Sequence, residues 1–135
     1  MANDVALLVP RFGFNDKLLL GETQGFTDAD WSWRPPTGGN AALWILGHVT
    51  RYRRAIRRRL GEALPEASWE ARYARGVPAD GPLASSAAEL VPDFLASGRA
   101  LAERIPTLPA EALAAPFGST FPDGATTLCG GLSFV

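Results

Sequence analysis

Apolar residues recur at helical spacing in three long stretches and open a fourth. In "DVALLVPRFGFNDKLLLGETQ", about residues 4 to 24, Leu7, Leu8, Phe12, Phe14, Leu18 and Leu19 repeat with helical period. Pro10 lacks a backbone donor, so it belongs near the first turns or bends the helix. "GFTDADWSWRPPTGGN" then breaks the pattern. Thr27 caps a single turn through Trp31, and Pro35-Pro36 with Gly38-Gly39 force a loop. The second helix is expected from Asn40, a good N-cap, to Gly61, a good left-handed stop. "SAAE" at Ser86 to Glu89 is a capping-box signature for a third helix over about residues 87–105, with Pro92 an early interruption that leaves a start nearer Val91 as the alternative. One turn of helix is expected around Trp69 to Arg75 in the connection before it. "TLCGGLSFV" reads as the first turns of a fourth helical element after Thr126. No stretch alternates with period two, so no sheet is expected and the fold class is all-α.

The second helix separates into two faces at about 100° per residue. Trp44, Ile45, His48, Val49, Tyr52, Ala55, Ile56 and Leu60 share one half of the wheel, while Arg51, Arg53, Arg54, Arg57 and Arg58 share the other with Gly47. Arg59 is the exception, near the helix end where its stem can pack and its charge reach water. His48, the only histidine in the chain, therefore lies in the apolar sector. A buried imidazole needs a partner for each nitrogen. It is either a core histidine bonded to a backbone carbonyl or one arm of a metal site. The arginines read as a solvated face favoured by the helix C-terminal dipole.

Charge changes the picture only by exclusion. With 13 basic and 14 acidic residues the net charge is −1, and no aromatics interleave with the arginines as a nucleic-acid surface would require. No apolar run approaches the roughly 20 residues of a membrane span, and the N-terminus has no basic segment of a signal peptide. Expected partners are thus neither nucleic acid nor membrane, and the expected location is cytoplasmic. Cys129 is the single cysteine, which excludes an intrachain disulfide. The chain is 135 residues long and 47% hydrophobic, which suits one domain. "GGN" and "CGG" have no Walker lysine and follow no strand. The serines have one histidine among them and no triad. Trp31, Trp33, Trp44 and Trp69 suit core packing more than a ligand pocket.

"N-x-x-x-W-I-L-G-H-V-x-x-x-R" at Asn40 to Arg54, followed by "R-R-L-G-E", resembles the DinB-like family of bacterial four-helix bundles. "T-D-A-D-W-S-W-R-P-P-T-G-G-N" upstream is similar to that family's segment between the first two helices. "S-W-E-x-x-Y-x-x-G" and "T-T-L-x-G-G-L-S-F-V" downstream match in order and rough spacing. The resemblance implies an up-down bundle with long crossover connections and a divalent metal, zinc, nickel or iron, held by three histidines. His48 matches the histidine of the second helix. The other two belong to the fourth helix, one turn apart, where two imidazoles share a face. Members with known activity are mostly thiol-dependent transferases or isomerases using mycothiol, bacillithiol or glutathione. The resemblance thus implies a small-molecule substrate and a low-molecular-weight thiol.

This chain departs from the family in having one histidine. The expectation is a domain whose fourth helix is cut short, with His48 the remaining ligand of an incomplete metal site and metal bound weakly or not at all. The alternative is a non-catalytic binding or self-associating helical module in which His48 only packs. Cys129 and Ser133 share a helix face but fall about two turns, or roughly 11 Å, short of the missing pair. Three helices shaped to surround a fourth leave an apolar trough. A homo-oligomer closing the trough, with "LCGGLSFV" near the contact, or else a marginally stable monomer, is therefore expected.

Overall fold

The computed structural model describes residues 2–79, 81, 83, 85–133 and 135, and along 2–5 the backbone alone; Met1, Asp80, Pro82, Ala84 and Phe134 lie outside the described residues. The described chain is helical and contains no strand beyond one isolated bridge, Pro116 to Thr127. Its α-helices are α1 (Ala2–Glu22), α2 (Asp28–Ser32), α3 (Ala42–Arg59), α4 (Ala87–Arg104), α5 (Ala110–Ala114) and α6 (Leu128–Leu132). A 3₁₀ turn, Glu70–Tyr73, lies between α3 and α4, and a second, Ile105–Thr107, follows α4. The all-α class read from periodicity is the one observed.

Local chemistry sets most boundaries. Thr27 and Asp30 form a reciprocal capping box on α2. Gly61, at φ 94°, ends α3 in a Schellman turn: the Glu62 N–H donates to the Arg57 carbonyl and the Gly61 N–H to the Arg58 carbonyl. One expected start differs. Ala41, not Asn40, is the N-cap of α3 and makes no side-chain cap; burial of Ala41, 2% exposed, fixes the start instead. α4 begins at Ala87, where its capping signature predicts, because the Ser86 hydroxyl accepts the Glu89 N–H; Pro92 is tolerated on the exposed side. Pro10 likewise falls within α1 without ending it.

The core has two parts joined by α4, which packs most extensively on α3 and also on α1. One part gathers Leu8 and Phe12 of α1, Ile56 of α3, Leu101 of α4 and Leu128 and Leu132 of α6. The other gathers Trp31, Leu43, Leu46, Trp69, Tyr73, Leu90 and Phe94. The described part of the final segment packs largely within the chain. Leu128, Gly131, Leu132 and Val135 are buried and close one part of the trough from within. The remainder stays open as an apolar groove of about 420 Å³ between α1 and the first half of α3, walled by Leu18, Leu19, Ile45, Leu46 and Val49. Correspondingly, only part of the apolar pattern of α1 is buried. Leu8 and Phe12 are in the core, whereas Leu7, Phe14 and Leu18 are exposed.

Candidate functional site

The arginine face of α3 is not solvated. Arg54 donates through Nε to Glu70 Oε1 at 2.6 Å, through Nη1 to Asp93 Oδ2 at 2.8 Å and through Nη2 to the Pro65 carbonyl at 2.6 Å. Arg58 donates to both Glu70 oxygens and to the Leu64 carbonyl. The Ala67 N–H adds a further bond to Glu70 Oε1 at 2.9 Å. Desolvation pushes the Glu70 carboxyl up, yet the bonds from Arg58, Ala67 and Arg54 outweigh it and hold the group below its ordinary value. Arg53 is fully buried; it donates to the Phe94 carbonyl at 2.8 Å, to Asp16 Oδ1 at 3.1 Å and to the Val135 carbonyl, with its guanidinium 3.7 Å from the Phe94 ring centre. Burial draws the Arg53 pKa down, and the Asp16 bond opposes this. The reason the helical wheel misleads is that the polar half of α3 meets a carboxylate-bearing connection and α4 rather than water.

This network fixes the 3₁₀ turn Glu70–Tyr73 against α3, and the turn in turn fixes His48. His48 Nδ1 lies 2.8 Å from the Tyr73 carbonyl oxygen. A carbonyl only accepts, so Nδ1 carries the proton and Nε2 of the neutral ring keeps its lone pair. The ring stacks on Trp44 at 4.8 Å and meets Tyr52 edge-on at 4.9 Å, as residues four apart on one helix face can. Gly47 makes the approach possible: a Cβ there would lie 2.6 Å from the Tyr73 ring. The sequence shows that glycine beside His48 but not what lies against it.

His48, Tyr52, Arg75, Ser119, Phe117 and Phe121 are among the residues around a cavity of about 280 Å³. Its outer wall is the chain between α5 and α6. The Phe117 N–H donates to the Thr126 carbonyl there, the Phe121 N–H donates to the Ala125 carbonyl, and the two phenyl rings lie 5.0 Å apart. Arg59 ties this wall to α3 by donating to the Pro116 and Phe117 carbonyls and lying over the Phe117 ring. The expectation that Arg59 packs its stem at the helix end becomes a specific link. Arg75, Ser119, Phe117 and Phe121 are residues that sequence reasoning missed; they sit in connections without periodicity.

Of the tryptophans, Trp31 and Trp69 are core residues, Trp33 is exposed, and Trp44 supports His48. The Trp44 indole N–H is buried without a hydrogen-bond partner among the described residues. Cys129 is half-buried against the first core part, and its carbonyl accepts the Ser133 hydroxyl at 3.2 Å. Among the described residues no group of three or more His, Cys, Asp or Glu side chains could hold a metal. The donors beside His48 do not fit a tightly held divalent ion: the described lining of its cavity offers one imidazole and the hydroxyl-bearing Tyr52 and Ser119, with no carboxylate or thiol side chain. No described helix is long and apolar enough to cross a membrane.

An all-helical domain with one inward histidine on its second long helix, set by a carbonyl on one nitrogen, defines the class. The sequence model of the DinB superfamily matches residues 12–135, and the chain belongs to that superfamily. No curated protein and no solved structure matches it.

Proposed function

We propose that this DinB-superfamily chain binds a small molecule in the cavity beside His48, one that is largely apolar and carries a single acidic group. The observation that carries the reading is the Nδ1–H bond to the Tyr73 carbonyl, which commits Nε2 to accepting a proton or hydrogen bond at a cavity wall. Phe117, Phe121, Val49 and Ile56 supply apolar surface, and Arg75 supplies a cation for the acidic end. A low-molecular-weight thiol meets the same description at its reacting end: its S–H proton passes to Nε2 and the thiolate remains near Arg75. Calorimetric titration with a hydroxynaphthalene sulfonate, whose hydroxyl can donate to Nε2 while the sulfonate meets Arg75, tests the site. His48→Phe and Arg75→Ala are each expected to weaken binding about tenfold, the value of one hydrogen-bonded contact of about 1.4 kcal/mol. Unchanged binding in both overturns the reading.

The second reading is metal-dependent thiol transfer, favoured by the tautomer of His48, since metal-ligating imidazoles commonly donate their other N–H to a carbonyl. It requires ligands that the described residues near His48 do not supply. Elemental analysis after extensive dialysis separates the two. A firmly retained one-to-one metal that is lost in His48→Ala selects the second reading; absence of stoichiometric metal selects the first.

A further inference from the structure

We propose that two copies of this chain pair through antiparallel α1 helices, each copy's α1 ridge seating in the other's open groove. Leu7, Phe14 and Leu18 are 62%, 64% and 49% exposed. At about 100° per residue they fall within about 40° of one another, at least about 80° from the buried Leu8 and Phe12. With Arg11 and Glu22 they form the series 7, 11, 14, 18, 22, whose steps of three and four are those of a helix–helix seam. Leu18 and Glu22 also wall the apolar groove, and Ile45, 50% exposed, stands on its other side. Ridge and groove are thus one continuous surface.

That continuity argues for a second copy as the occupant. A twofold axis between antiparallel α1 helices brings Phe14 of each copy opposite Leu18 of the other. The same register sets the exposed Arg11 against the partner's exposed Glu22. Both polar members of the seam then meet an opposite charge, and both apolar surfaces are covered by one contact. Phe14, Leu18 and Ile45 alone expose roughly 300 Å² per copy, so pairing buries about 600 Å² from them, and the groove walls supply the rest of the ~1,000 Å² a specific interface needs.

Sedimentation velocity over the micromolar range tests this. The full chain is expected to sediment as a dimer, and Leu18→Glu as a monomer with unchanged helical circular dichroism. Arg11→Glu is expected to weaken the dimer at least fivefold, and Arg11→Glu with Glu22→Arg to restore it. Because both charged residues are exposed, this exchange does not depend on the folding of the Leu18 variant. A wild-type monomer overturns the proposal and leaves the groove to a different occupant. A dimer that neither Leu18→Glu nor Arg11→Glu disturbs overturns the surface.

Discussion

The two faces of α3 carry opposite designs. On the arginine face three guanidinium groups are heavily engaged: Arg53, Arg54 and Arg58 together reach three carboxylates and several carbonyls. On the His48 face one hydrogen bond orients one ring beside a cavity. The side that looks functional by charge is structural, and the nearly apolar side holds the group with an uncommitted lone pair. Buried charge retained with full pairing specifies one arrangement of the chain around it, and here that arrangement delivers the Tyr73 carbonyl to His48.

The comparison is broken most severely at Glu70. Glu70→Ala leaves two guanidinium groups, one of them mostly buried, without their shared carboxylate. A loss of about 3–5 kcal/mol is expected in urea unfolding. A loss below about 1 kcal/mol, the ordinary value of an exposed ion pair, would show that the network is solvated after all. Gly47→Ala comes next. The added methyl collides with the buried Tyr73 ring at 2.6 Å, an overpacking cost of about 1–3 kcal/mol that exceeds the gain in helix propensity. A more stable variant would place Tyr73 elsewhere.

Acid acts on the same face more gently, because protonating Glu70 leaves its side chain in place. A carboxyl held below its ordinary value binds fewer protons folded than unfolded. Its contribution is therefore present above the ordinary carboxylate range and is lost as pH falls through the folded pKa. Unfolding midpoints measured from neutral to acid pH should drop less steeply in Glu70→Gln than in the wild type. The smallest effect on stability belongs to the other face. His48→Phe keeps the ring stack and loses one hydrogen bond, for about 1 kcal/mol in a denaturant melt. Near-normal stability with lost sulfonate binding would sharpen the contrast between the two faces.

Periodicity revealed the three long helices, and Thr27, Ser86 and Gly61 revealed local caps and stops, because these are short-range effects written in neighbouring residues. His48 was legible too, as a histidine within an apolar sector. The fate of the arginines was not. A helical wheel reports which residues are polar, not whether water or Glu70 faces them. Ile45 shows the converse: it belongs to the apolar half by pattern yet is 50% exposed, because its surroundings on α1 form a groove rather than a packed wall. Arg75, Ser119 and the two phenyl groups reach His48 only through long connections, which periodicity does not order.

The tie between Arg59 and the Pro116–Phe117 carbonyls spans 57 and 58 residues of sequence. Helix α3 gains its backbone bonds locally, whereas the outer wall of the cavity can form only after a long loop has closed. The two should therefore part company in time. In refolding followed by pulsed hydrogen exchange, α3 amides are expected to gain protection before those of Phe117, Phe121 and Leu128, so that His48 stands ready on its helix before it has a chamber to serve.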